Sequence, residues 1–152
     1  MSNIGDKIIP LFKVFMHPDA TKEVEKTLLS GYIGEGPKVK EFEQALCDYL
    51  DCQNLITVNS ATSALHLALS MIKREPVSPT WPGVESGDEV LTTALTCTAT
   101  NWPVLANDLK IKWVDVNPHT CNLDLDDLES KLSPRTKAII VVHWGGYPND
   151  LD

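Results

Sequence analysis

Asn59-Ser60-Ala61-Thr62-Ser63 is the stretch whose residue types and spacing can do chemistry. It follows Leu55-Ile56-Thr57-Val58, an apolar, β-branched run suited to a buried parallel strand. It precedes Ala64-Leu65-His66-Leu67-Ala68-Leu69, so the small hydroxyl residues fall in the first turn of an Ala/Leu-rich helix. A strand, polar turn and helix in this order gather unpaired backbone N–H groups, the positive end of a helix dipole and the hydroxyls of Ser60, Thr62 and Ser63 into an anion cup that fits a phosphate. Ser and Thr at a helix start also serve simply as caps. The residues alone leave capping and phosphate binding both open.

The other reactive residue types form no comparable pattern. Cys47 and Cys52 are four residues apart and Cys97 and Cys121 stand alone, which is neither a CxxC pair nor a metal-ligand spacing. Reduced, partly buried thiols are expected. His17, His66, His119 and His143 form no metal motif, and His66 reads as a packed residue within its helix. No nucleophile elbow or activated base supports a Ser/His/Asp mechanism. Gly31-Tyr32-Ile33-Gly34-Glu35-Gly36-Pro37 is a glycine-rich loop spaced GxxGxG after a helix, whereas a dinucleotide fingerprint needs GxGxxG after a strand. Asp124, Asp126 and Asp127 fit a helix start rather than a catalytic carboxylate pair.

The elements that must position these residues follow from periodicity. The 152 residues suit one domain with a real core, and a domain of this size buries roughly 68–70% of its unfolded surface. After an extended start at Ile8 to Phe12, helices are predicted from Asp19 to Ser30 and from Lys38 to Leu50, the latter with a core-facing stripe of Val39, Phe42, Leu46, Tyr49 and Leu50. Lys73 to Gly87, with Pro76, Pro79 and Pro82, reads as a surface excursion. Strands at Glu89 to Thr92, Ile111 to Val114 and Ala138 to Val142 then alternate with helices at Thr98 to Asn107 and Leu125 to Leu132. Such alternation implies an α/β fold, a mostly parallel sheet flanked by helices. Ligands of these sheets sit at the carboxyl ends of the strands, here Asn59 to Ser63, Thr93 to Thr100, Asp115 and His143 to Gly146. Asp115 and His143 are candidates there, or residues that merely close a strand end by hydrogen bonding.

Charge and hydropathy exclude several classes. A formal charge of −8 argues against nonspecific nucleic-acid binding or adhesion to an anionic membrane, so any phosphate must be held locally. No run reaches the length of a membrane span, and Met1 to Pro10 lacks the basic start and apolar stretch of a signal peptide, so a cytoplasmic protein is expected.

Several blocks, in order, resemble the DegT/DnrJ/EryC1/StrS family of sugar aminotransferases. They are Ser30 to Pro37 followed by Val39-Lys40-Glu41-Phe42-Glu43, then Asn59 to Leu65, Gly87-Asp88-Glu89-Val90 and Thr96-Cys97-Thr98-Ala99-Thr100-Asn101. Val114-Asp115-Val116, Asn122-Leu123-Asp124, Thr136 to Ile140 and Val142 to Asp152 continue the pattern, so the resemblance spans nearly the whole chain. It implies fold type I, the aspartate-aminotransferase-like fold, with residues 1–152 forming the N-terminal segment and first part of the large domain. The small C-terminal domain is then absent from this chain.

The resemblance also implies pyridoxal 5′-phosphate (PLP) as cofactor, with Ser60, Ala61, Thr62 and Ser63 as its phosphate turn. Cys97 stands on the cofactor-side loop where the family often carries an aromatic residue. Tyr32 and Gly34 match the segment that meets a nucleotide-linked keto-sugar, often across a homodimer interface, although Tyr32 equally fits a packing role. The amino donor would be glutamate. No lysine of the chain matches the family's Schiff-base lysine segment, so that lysine and the Asp that holds the pyridine nitrogen are expected beyond residue 152, and this chain alone is expected to be inactive. The alternative is a non-catalytic half-domain that binds a phosphate ligand or a partner chain.

Overall fold

The computed structural model describes residue 10, residues 12–74, residue 81 and residues 83–151. The predicted extended start at Ile8 to Phe12 lies mostly outside them, as does much of the proline-rich excursion. The chain divides into two compact units, Met1–Thr57 and Val58–Asp152.

In the first unit, helix α1 (Ala20–Ser30) ends at Gly31, whose φ of 77° is the left-handed conformation that closes a helix without a Cβ clash. Helix α2 (Pro37–Leu50) starts with Pro37, where the missing N–H costs nothing. Both match the predicted helices. The stripe on α2 does not meet its expectation, because Phe42, Tyr49 and Leu50 are exposed and only Cys47 is buried. No element among the described residues covers that face. Glu43 projects from α2 to accept hydrogen bonds from the N–H (2.7 Å) and hydroxyl (2.8 Å) of Thr57.

That bond bears on the first correction. Leu55 to Val58 forms no paired strand among the described residues. A β-branched run becomes a strand only when a neighbour takes its backbone groups, and the Thr57 N–H is taken instead by the Glu43 carboxylate. Ile56 is accordingly exposed.

The second unit contains α3 (Ala61–Arg74), β1 (Glu89–Thr93), α4 (Thr98–Ala106), β2 (Lys110–Val114), α5 (Leu125–Lys131), β3 (Thr136–Ile139) and a 3₁₀ turn at Trp144–Gly146. The three strands form a parallel sheet in the order β2-β1-β3. Central β1 is buried on both faces, and alternation sends Val90 and Leu91 to opposite sides. Val90 packs with Leu69 of α3, Val84, Val104 of α4 and Leu109, whereas Leu91 packs with Val114, Leu123 and Leu128 of α5. The expected α/β architecture, helices on both faces of a parallel sheet, is therefore present.

Beyond shifts of a single residue, two boundaries differ from the sequence reading. β3 begins two residues early and its ladder ends at Ile139, although the Ile140 N–H still donates to the Leu91 carbonyl at 2.9 Å. Lys73 belongs to α3, and Val84 is 4% exposed within the core rather than on a surface excursion. Proline exclusion located the irregular backbone but carried no information about which side chain near its end turns inward.

All four cysteines are free, with Cys52 and Cys97 exposed and Cys47 buried. Brief treatment of the folded protein with iodoacetamide should modify Cys52 and Cys97 while Cys47 is labelled only after denaturation. Intact mass and peptide mapping would show this, and rapid native labelling of Cys47 would contradict its burial.

Candidate functional site

The strand order creates a crevice. The chain passes from β1 through α4 to β2 on one flank, then through α5 to β3 on the other flank, and α4 and α5 lie on opposite faces. The chain thus leaves β1 on the α4 face and β2 on the α5 face, and ligands of open parallel sheets bind in a crevice beyond the carboxyl ends of the strands. Its walls here are the Ala94 to Cys97 loop after β1 and the Ile140 to His143 segment after β3.

Helix α3 reaches the same edge. The Lys73 ammonium near its end donates to the Asn107 carbonyl (2.7 Å) and pairs with Asp108 (3.3 Å), both just before the start of β2, which places the end of α3 at the amino edge of the sheet. Fourteen helical residues span about 21 Å, enough to bring its first turn to the carboxyl edge. The His66 and Trp102 rings lie 5.6 Å apart, and each stands a similar number of residues into its helix, so the first turns of α3 and α4 are neighbours. Two positive helix ends thus face one edge.

At the first turn of α3, capping is realised at Ser60 and Ser63. Ser60 Oγ accepts the Ser63 N–H at 3.1 Å, and the Ser63 hydroxyl donates to Asn59 Oδ1 at 2.7 Å. Among the described residues no hydrogen-bond partner meets the N–H groups of Ala61 and Thr62 or the Thr62 hydroxyl. These are the donors the turn has to offer an anion, and they suit the phosphate of PLP. Cys97 occupies the N-cap position of α4 without a side-chain cap bond. Tyr32 and Gly34 lie in the other unit, on a hollow of about 230 Å3 shared with Thr27, Pro37 and Val39.

Three buried asparagines that sequence reasoning passed over set the loops. Asn101 Oδ1 accepts the Thr92 hydroxyl at 2.8 Å and Asn101 Nδ2 donates to the Thr93 carbonyl at 3.0 Å, which ties α4 to the end of β1. Asn122 Nδ2 donates to the carbonyls of Tyr147 (3.2 Å) and Pro148 (2.9 Å), while its Oδ1 accepts the Trp144 N–H (3.1 Å). Asn149 Oδ1 accepts the Leu123 N–H at 3.0 Å and Asn149 Nδ2 donates to the Val142 carbonyl at 2.8 Å. The available signal was an amide inside an apolar helix, as in Thr98-Ala99-Thr100-Asn101-Trp102-Pro103, since a buried amide must find partners.

Asp115 and His143 part company. Asp115 directly follows β2, an outer strand of the sheet, and its Oδ1 accepts the Val116 N–H at 2.8 Å, so it closes its strand end. Its own N–H donates to Asp127 at 2.7 Å, and that bond, followed by the Lys131 ammonium at 2.6 Å, holds the Asp127 carboxyl below the ordinary aspartate range. Asp127 thus does more than complement a helix start: it ties α5 to the backbone just after β2. A depressed folded value means that its contribution is full above the unfolded pKa and is lost as the pH falls from about 4 through the lower folded value. Asp127→Asn should therefore lower stability at pH 7 and flatten its acid dependence over that window. Urea unfolding at pH 7 and pH 3 would reveal this, and parallel losses at both pH values would count against it.

A model of the DegT/DnrJ/EryC1/StrS aminotransferase family matches residues 15–152. The chain belongs to this family. DegT/DnrJ/EryC1/StrS proteins are PLP-dependent, and the α/β sheet described above is part of their fold type I domain. The chain is 36% identical over 131 residues to the spore coat polysaccharide biosynthesis protein SpsC of Bacillus subtilis, covering 86% of this chain and 31% of SpsC. It is similar to the crystal structure of the sugar aminotransferase CalS13 from Micromonospora echinospora, with a TM-score of 0.80 and 51% identity over 95% of this chain and 37% of that one. It also resembles the E. coli GDP-4-keto-6-deoxy-D-mannose-3-dehydratase with bound hydrated PLP, with a TM-score of 0.81 and 26% identity over 92% of this chain and 35% of that one. The chain thus spans about a third of the length of these DegT/DnrJ/EryC1/StrS relatives.

Among the described residues there is no group of acidic, His or Cys side chains fit for a metal, and no helix long and apolar enough to cross a membrane.

Proposed function

We propose that residues 1–152 supply the phosphate turn and cofactor-side loop of a PLP-dependent enzyme that transfers an amino group, from glutamate, to a nucleotide-linked keto-sugar. The observation that carries this reading is the first turn of α3. Ser60 spends its hydroxyl on capping, while the N–H groups of Ala61 and Thr62 and the Thr62 hydroxyl have no partner among the described residues. When bound, PLP supplies an electron sink that neither this sheet nor any side chain on it provides.

The chain's own residues then bind and orient. Ala61 and Thr62 donate to the phosphate from a turn that Ser60 and Ser63 hold in shape, Cys97 borders the ring from the head of α4, and Tyr32 and Gly34 meet the nucleotide-sugar. No lysine here is given the covalent role: Lys73, Lys112 and Lys131 are engaged with Asp108, Glu89 and Asp127. The reading places that lysine and the small domain outside residues 1–152. It further takes the working form to be a homodimer, and the free cysteines favour a reducing, cytoplasmic setting.

Equilibrium dialysis against PLP, pyridoxal and inorganic phosphate tests the phosphate turn. PLP should bind at least about tenfold more tightly than pyridoxal, because charge-assisted hydrogen bonds of about 1.5–3 kcal/mol are at stake, and phosphate should displace it. Equal binding of PLP and pyridoxal would overturn the reading. A dehydratase is the second reading, favoured by the E. coli neighbour. Formation of 2-oxoglutarate and an aminated sugar nucleotide supports transfer, whereas a deoxygenated sugar without added nitrogen supports dehydration.

A further inference from the structure

His143 lies beyond the carboxyl end of β3, and among the described residues its ring is held at Nδ1 alone. Nδ1 lies 3.1 Å from the backbone N of Asn149 and 3.1 Å from Asn149 Nδ2. A backbone N–H only donates, and the side-chain amide nitrogen likewise only donates, so both contacts require an acceptor at Nδ1. Asn149 cannot be turned around to relieve this. Its Oδ1 already accepts the Leu123 N–H and its Nδ2 already donates to the Val142 carbonyl, which fixes the orientation of the amide. The proton of the imidazole therefore sits on Nε2, and among the described residues no group bonds that nitrogen.

We propose that Asn149 is a positioning residue that holds His143 in the Nε2–H tautomer, so that the imidazole offers a hydrogen-bond donor to an acceptor oxygen of the ligand in the β1/β3 crevice. The nitrogen not engaged by the protein sets what a histidine can do, and here that nitrogen is a donor. The ligand atom that meets it must be a carbonyl, hydroxyl or phosphate oxygen, not an N–H. The tautomer rests on the hydrogen bonds alone, whereas its use on PLP rests on the function proposed above.

Two measurements separate these parts. In the 15N-labelled protein, a scalar coupling across the hydrogen bond should link the Asn149 backbone nitrogen to His143 Nδ1, with the ring proton on Nε2. A proton on Nδ1, or absence of that coupling, would overturn the proposal. For the ligand, PLP binding by equilibrium dialysis should be retained within about threefold in His143→Gln, whose amide N–H reaches near the Nε2 position, and fall about tenfold in His143→Phe, as expected for loss of one hydrogen bond. Equal affinities for wild type and His143→Phe would remove the donor role. If wild type shows no preference for PLP over pyridoxal, the function reading and the donor role on PLP fall together, while the coupling still decides the tautomer.

Discussion

Asn101→Leu should lower the stability of the unit Val58–Asp152 by about 3 kcal/mol, among the larger single-residue effects in this chain. Asn101 is 8% exposed and answers two groups at the end of β1, the Thr92 hydroxyl and the Thr93 carbonyl, which are themselves buried. Leucine keeps the γ-branched shape of asparagine but answers neither group, and each orphaned buried group costs about 1–3 kcal/mol. For a protein whose total stability is about 5–15 kcal/mol, the loss should appear as a drop in Tm of roughly 10 °C. A double variant with Thr92→Val should recover part of the loss, since removing both partners leaves only the Thr93 carbonyl unpaired. Scanning calorimetry of the single and double variants checks this, and a loss below about 1 kcal/mol for Asn101→Leu would show that water replaces the amide. The loop to Cys97 starts from this end of β1, so the same variant should also loosen the head of α4.

Thr62→Val should weaken PLP binding by about tenfold to a hundredfold with little change in stability. The substitution keeps the branched shape and the backbone N–H and removes only the hydroxyl, whose bond to a phosphate dianion is worth about 1.5–3 kcal/mol. Thr62→Ser should restore most of the affinity. Ser63→Ala is the informative contrast, because the Ser63 hydroxyl is committed to Asn59 and its N–H to Ser60. It should cost stability first and affinity second. Equilibrium dialysis of the three variants against PLP decides the matter, and unchanged affinity in Thr62→Val would take Thr62 out of the phosphate turn.

These two sites differ in how far they could be read from sequence. The turn at Ser60 to Ser63 was legible because helix starts obey local rules, and a run of Ala and Leu behind small hydroxyl residues specifies the N-terminus without tertiary information. The alternation around β1, α4, β2, α5 and β3 was legible for the same reason, as was the resemblance carried by its blocks. The division of labour within the turn was not, since which hydroxyl caps and which stays unpartnered depends on rotamers. The roles of Asn101, Asn122 and Asn149 in setting the loops were invisible because the partners they hold there lie 7 to 26 positions away in sequence. Leu55 to Val58 shows the opposite failure: strong local preference for a strand, and a carboxylate from α2 in place of a pairing neighbour.

The position of β1 between β2 and β3 has a consequence for synthesis on the ribosome. β1 emerges first of the three strands, yet its partners follow only at Lys110–Val114 and Thr136–Ile139. Until both have left the exit tunnel, a strand with the fully buried Val90 and Leu91 remains without one or both of its flanks. Parallel pairing cannot be completed by a local hairpin, so the nascent chain carries β1 incompletely paired for the time needed to translate almost fifty further residues, at about 5–20 residues per second. Ribosome-bound nascent chains ending before β3 are therefore the ones in which chaperone capture at Val90 and Leu91 should be greatest.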